Sequence, residues 1–166
     1  MEKSIISLED SLDSVFGLSS KDWKLYSPLT LAYLGDAVYE MVIRTICVKR
    51  TNMQTQKLHR KVTGYVSAKA QAKMMDALIG ELTEEEESIY RRGRNSKPYT
   101  KAKNASMEEY LKATGFEALM GYLYLTEQFD RMAELLGKGL EQMGELAEAE
   151  GTSTDSHALQ EAENEK

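Results

Sequence analysis

Ser27-Pro28, followed by LTLAYLGDAVYEMVIRTICV and ending at Val48, is the stretch that decides the fold. Serine before proline marks a helix start. The hydroxyl can accept from a first-turn N–H, and proline lacks an N–H that this turn leaves unused. The residues after Pro28 are apolar nearly all round rather than along one stripe, which predicts a central, buried helix running to about Val48. Asp36 stands in the middle of it, with Leu34, Ala37 and Val38 as neighbours. An ionised carboxylate buried there without a partner costs several kcal/mol, so Asp36 must be paired, protonated or bound to a metal.

The next most apolar stretch, ATGFEALMGYLYL at 113–125, carries a second such acid, Glu117. Two hard oxygen ligands from two core helices can meet at one divalent ion, and Mg²⁺ accepts one or two protein carboxylates with water and phosphate oxygens completing its shell. Gly35, Gly115 and Gly121 remove bulk beside the two acids and would let the backbones approach. The competing arrangement pairs Asp36 with a base from another helix and Glu117 with a tyrosine hydroxyl. Glu40, one turn after Asp36, has a plain i,i+4 partner in Arg44.

The remaining signals are also helical. Ser7 with Asp10 caps a short first helix. Helices are expected over 53–62, stopped by Gly64, and over 65–79, ended by Gly80. Thr83 with Glu86 forms a capping box for a helix to about Arg92, and Ser106 with Glu109 forms another for a helix to about Leu125. A last amphipathic helix over 127–146 runs through Phe129, Met132, Leu135, Leu136 and Leu140. Residues 93–105, GRNSKPYTKAKNA, read as a loop. No segment alternates as a strand does. The fold class is all-α, with about seven helices and one basic loop.

With 166 residues and a single cysteine, Cys47, the chain suits one domain without a disulfide framework. The acidic N-terminus does not read as a signal peptide, and no apolar run reaches the roughly 18 residues of a membrane span. A cytoplasmic location and no membrane partner are expected. The net charge of −6 is unevenly placed. Residues 141–166 hold eight acids and one base, leaving the body at +1. Residues 41–75 contain eight bases and no acid, and residues 88–107 contain six and no acid. Such windows suit a polyanion, because clustered Lys and Arg gain affinity by displacing counterions from phosphates. A solvated basic face without a ligand is the alternative.

Four motifs carry a resemblance. Leu31-Ala-Tyr-Leu-Gly-Asp-Ala-Val-Tyr-Glu40 resembles the signature helix of the ribonuclease III catalytic domain, and Gly115-Phe-Glu-Ala-Leu-Met-Gly-Tyr-Leu-Tyr124 resembles that family's second catalytic helix. Val66-Ser-Ala-Lys-Ala-Gln-Ala72 and Arg91-Arg-Gly-Arg-Asn95 are similar to its Mini-ribonuclease III subgroup. The match spans about residues 27–140 in order. It implies a ribonuclease III-type helical domain over 27–148, preceded by a helical extension over 1–26 and followed by an acidic, disordered tail over 149–166. It also implies a homodimeric, Mg²⁺-dependent endonuclease that cuts double-stranded RNA, leaves 5′-phosphate and 3′-hydroxyl ends, and matures 23S ribosomal RNA precursor.

By the resemblance, Asp36 falls on the catalytic aspartate and Glu117 on the metal-binding glutamate. Full-length relatives carry further acids where this chain has Leu29, Ala32 and Thr114. A double-stranded-RNA-binding module with a degenerate site is therefore the rival expectation. Full-length relatives carry a double-stranded-RNA-binding domain after the catalytic domain, whereas about 20 residues, acidic in composition, stand after the last helix here, so the catalytic domain is expected to grip RNA itself. His59, Arg60, Lys69, Lys73, Arg92, Arg94, Asn95, Lys97, Lys101 and Lys103 are the residues expected to touch it.

Overall fold

A computed structural model describes residues 7–19, 21–96 and 104–144. Seven α-helices are present among them: α1 (Leu8–Phe16), α2 (Pro28–Arg50), α3 (Thr55–Val66), α4 (Ala68–Leu78), α5 (Glu84–Arg94), α6 (Met107–Leu125) and α7 (Phe129–Gln142). Two short 3₁₀ turns, Trp23–Leu25 and Ile79–Glu81, join them, and no strand occurs among the described residues. The all-α expectation is met.

Helix α6 is the hub, and α2, α4, α5 and α7 all pack on it. Its residues from Ala113 to Leu123 are buried except for Glu117. Helix α2 crosses it in the opposite direction, Gly35 lying beside Glu117 and Gly121 beside Leu31. A methyl group on Gly35 would come within 1.7 Å of the Glu117 carbonyl oxygen, and one on Gly121 within 2.1 Å of the Leu31 carbonyl oxygen. These two glycines bring the two backbones together. Gly115 has a different task from the one expected, since it faces Tyr90 of α5 rather than α2. Below the crossing, Tyr39 and Phe116 meet edge to face at 4.8 Å, and the Tyr39 hydroxyl donates to the Tyr65 carbonyl.

The helix starts follow the sequence closely because capping is local chemistry. Ser27 accepts from the Thr30 N–H with Pro28 in the first turn, and the Ser7, Thr83 and Ser106 capping boxes all form. Two boundaries differ. Gly64 sits inside α3, exposed and with open space around it, so nothing forces a break there. The chain turns instead at Ser67, whose hydroxyl accepts from the Ala70 N–H to start α4. Helix α5 extends through Gly93 and Arg94, which the sequence had assigned to the loop, because Gly93 packs against Gly115 and Ala118 of α6. Helix α7 is shorter than expected: Glu127 takes a left-handed φ of 55°, and the helix begins at Phe129.

Glu86, which the sequence marks only as a capping residue, is 3% exposed. Arg131 grips it from α7 with two hydrogen bonds of 2.8 and 2.9 Å, and the Thr83 N–H donates to it at 2.8 Å. Most of the loop expected over 93–105, the end of the expected last helix and the acidic tail lie outside the described residues, as do Lys97, Lys101 and Lys103.

Candidate active site

Asp36 and Glu117 come together where α2 crosses α6, close enough for their carboxyl groups to hydrogen-bond to each other. The surroundings of Asp36 differ from the expectation. It is exposed, because α2 turns Tyr33, Asp36, Ala37 and Met41 outward and buries Leu31, Gly35, Val38 and Tyr39. The apolar run of sequence hid this, since exposed alanine, tyrosine and methionine look like core residues in a one-dimensional reading. Glu117 is only partly accessible and lies at the floor of the site.

Among the described residues, neither carboxylate has a basic partner. Burial, then the charge of Asp36, pushes the Glu117 carboxyl up to about 8, although a hydrogen bond from Gln71 favours its charged form. Asp36 is also raised, by partial burial first and by the charge of Glu40 next, against the lowering effect of its hydrogen bond with Glu117. Two like charges at hydrogen-bonding range cannot both ionise cheaply, so without a counter-ion the pair shares a proton. A hard divalent cation is the counter-ion such a donor set fits.

Among the described residues, the rest of the neighbourhood supplies no third free acid. Glu40 is held by Arg44, whose Nε donates to it at 3.0 Å, as the i,i+4 spacing predicts. Ala32 is buried, and Thr114 spends its hydroxyl on the Tyr110 carbonyl at 3.0 Å. No group of three metal-ligating side chains exists among the described residues. Substrate and water oxygens would have to complete the shell of a cation held by this pair.

The basic residues expected to touch RNA are spread over three helices. His59 and Arg60 of α3, Lys69 and Lys73 of α4, and Arg92, Arg94 and Asn95 at the end of α5 are all exposed. None of their charged groups takes part in an ion pair among the described residues, whereas Arg44, Arg91, Lys112, Arg131 and Lys138 do. Gln71 was not singled out by the sequence reading as a site residue. The signal was there: a polar side chain in register with Met74, Met75 and Leu78 on the buried face of α4.

The all-α bundle built around α6 has counterparts among known proteins. The family model of the ribonuclease III domain matches residues 29–128. Among curated relatives, the Mini-ribonuclease 3 of Enterococcus faecalis is 52% identical over 77% of this chain and 98% of its own length. That of Thermoanaerobacter sp. is 44% identical over 82% and 94%. A crystal structure of a Fusobacterium nucleatum protein superposes with a TM-score of 0.67 at 32% identity, covering 76% of this chain and all of that one. The chain belongs to the ribonuclease III family and, within it, to the Mini-ribonuclease 3 group.

Proposed function

We propose that this endoribonuclease, whose family acts on double-stranded RNA with the help of a metal ion, cuts its substrate with Asp36 and Glu117 holding Mg²⁺. The observation that carries the reading is the convergence of two carboxylates from helices remote in sequence with no base among the described residues to neutralise either. When bound, the ion supplies a Lewis acid for the phosphate and a source of hydroxide near neutral pH. Glu117 is the fixed ligand, set into α6 at the crossing. Asp36, on the exposed side, stands where a phosphate can approach. Attack opposite the leaving 3′-oxygen yields 5′-phosphate and 3′-hydroxyl ends.

The grip on RNA comes from Arg60, Lys69, Lys73, Arg92 and Arg94, together with His59, Asn95 and the lysines 97, 101 and 103. A-form RNA is recognised mainly through phosphates, 2′-hydroxyls and shape, so basic side chains spread over three helices suit a duplex better than a base-reading element would.

A homodimer completes the reading. Along α2, Tyr33 is 85%, Met41 52% and Val48 62% exposed, an apolar stripe with about two turns between successive members that borders Asp36. A two-fold pairing on this stripe covers it and presents two sites to one duplex. The proposed substrate is the precursor of 23S ribosomal RNA, in the cytoplasm. No helix among the described residues is long and apolar enough to cross a membrane.

A labelled duplex from the ends of that precursor, incubated with the protein and Mg²⁺ beside an EDTA control, tests the proposal. Cleavage that stops in EDTA and in Asp36→Asn supports it. Duplex binding without cutting under any metal would leave the degenerate binding module instead.

A further inference from the structure

The apolar face of α2 is too small to hold two copies together by itself. From Leu34 to Val48 it runs about 21 Å, and one helix width gives it a footprint of about 200 Å². A stable interface takes about 800 Å² from each partner. Helix α1 is the element left uncovered: none of its residues is buried, and Leu8, Val15 and Phe16 face solvent.

A cleft of about 520 Å³ separates α1 from α2 and the end of α6. Leu12, Tyr26, Leu34 and Tyr124 supply its apolar lining, and Glu9 and Asp13 of α1 border it too. Neither acid forms an ion pair among the described residues, although Lys21 also borders the cleft. Partial burial first, and then the charges of Glu127, Asp13 and Asp10, push the Glu9 carboxyl up. An apolar recess with two uncompensated acids suits a cation carried beside an apolar side chain.

The far end of α2 has that character. Val48, Lys49 and Arg50 are exposed, and residues 41–75 hold no acid. Neither Lys49 nor Arg50 forms an ion pair among the described residues. Leu34, Met41 and Val48 are spaced by two helical turns, so they share one face of α2, where Met41, Val48 and Lys49 line an open groove. A two-fold axis near Met41 sets two copies of α2 antiparallel and makes each contact reciprocal, so that residue 34 of one copy meets residue 48 of the other. The basic end of each α2 then arrives at the acidic cleft of the second copy.

We propose that the cleft between α1 and α2 receives the C-terminal end of α2 from a second copy of this chain, with Val48 packing on Leu12 and Leu34, and Lys49 pairing with Glu9 and Asp13. The proposal rests on the homodimer reading above and adds α1 to that interface as an arm on each side. It supplies the area that one helix face lacks, and its charges fix the antiparallel register.

Sedimentation equilibrium of the full chain gives its dimer dissociation constant. Lys49→Glu should raise that constant by about tenfold or more, because like charges then meet in both clefts of the dimer. Adding Glu9→Lys and Asp13→Lys to Lys49→Glu reverses the pair and should return the constant to within about threefold of wild type. A cross-link locates the contact. In a Cys47→Ala background, Asp13→Cys and Lys49→Cys are combined and treated with a short bis-maleimide. Within one subunit these positions stand toward opposite ends of α2, about 20 Å apart, so the linker joins them only across two copies. A covalent dimer in the combined variant, absent from either single variant, is the expected result. A dimer whose constant ignores Lys49→Glu and that forms no such cross-link overturns the cleft contact and leaves the homodimer reading standing. Weakening by Lys49→Glu with neither recovery nor cross-link also overturns the contact, since it marks a general effect of charge. A wild type that stays monomeric while it cleaves overturns the homodimer reading, and the cleft contact with it.

Discussion

The molecule places acids at two helix contacts and treats them in opposite ways. At the α5–α7 contact, Glu86 is buried but fully served, with two hydrogen bonds from Arg131 and one from the Thr83 backbone. Burial opposes its charge, and these bonds outweigh that opposition, so its carboxyl is held below the usual range. At the α2–α6 contact, Asp36 and Glu117 face each other with no basic side chain among the described residues to pair them, and both are pushed up. One contact uses charge to hold helices together. The other keeps charge uncompensated, which is how a site for a cation differs from a salt bridge.

Removing the charge should therefore have opposite consequences at the two places. The largest effect expected is on cleavage: Glu117→Gln should reduce the rate by roughly a thousandfold or more, equivalent to about 4 kcal/mol of barrier. The metal-free protein should become more stable, not less, as read by melting temperature. Duplex binding in EDTA should be unchanged. If Glu117→Gln destabilised the fold as a broken salt bridge does, the contrast would collapse.

Arg131→Met should cost about 3–5 kcal/mol of stability, because it strands the buried Glu86 charge. Urea unfolding measures this, and cleavage at low temperature should survive. Gly35→Ala sits between the two classes. Its methyl would meet backbone 1.7 Å away at Glu117 and 2.6 Å away at Gly121, so side-chain rotation gives no relief. A loss of about 1–3 kcal/mol or more is expected, together with weakened Mg²⁺ response as the two acids are forced apart.

The pH dependence of stability should separate the pairs by sign. Glu117 lies above its ordinary value of 4.5, at about 8, so the metal-free fold keeps this contribution below 4.5 and loses it as pH rises toward about 8. Glu117→Gln or added Mg²⁺ should flatten that slope. Glu86 lies below its ordinary value, so its contribution is present above 4.5 and is lost only as pH falls through its depressed value. Unfolding free energies measured from acid to alkaline pH, with and without Mg²⁺, check both limbs. The smallest effect belongs to the RNA face. Lys69→Gln with Lys73→Gln should weaken duplex binding modestly and lower the salt slope of log K by about two, with melting temperature unchanged.

Legibility followed the range of the physics. Helix starts were readable at Ser7, Ser27, Thr83 and Ser106 because the cap and its N–H partner are three residues apart. Gly64 misled, since glycine weakens a helix without ending it, and the stop at Ser67 needed α4 to pack elsewhere. The two acids were legible as oddities in apolar runs. Their distribution between surface and interior was not, because that depends on which side of α2 the hub helix covers. Arg131 gave no local sign of being the partner of Glu86, 45 residues away.

What the sequence determined by itself was local: an all-helical chain, its caps, two misplaced carboxylates, and basic windows without acids. The tertiary structure alone decided that Gly35 and Gly121 face each other's helices, and that Asp36 opens outward while Glu117 lies inward. The physical reason is distance along the chain. A hydrogen bond within one turn is written in neighbouring residues, whereas the approach of two backbones is settled only when the whole bundle closes around α6.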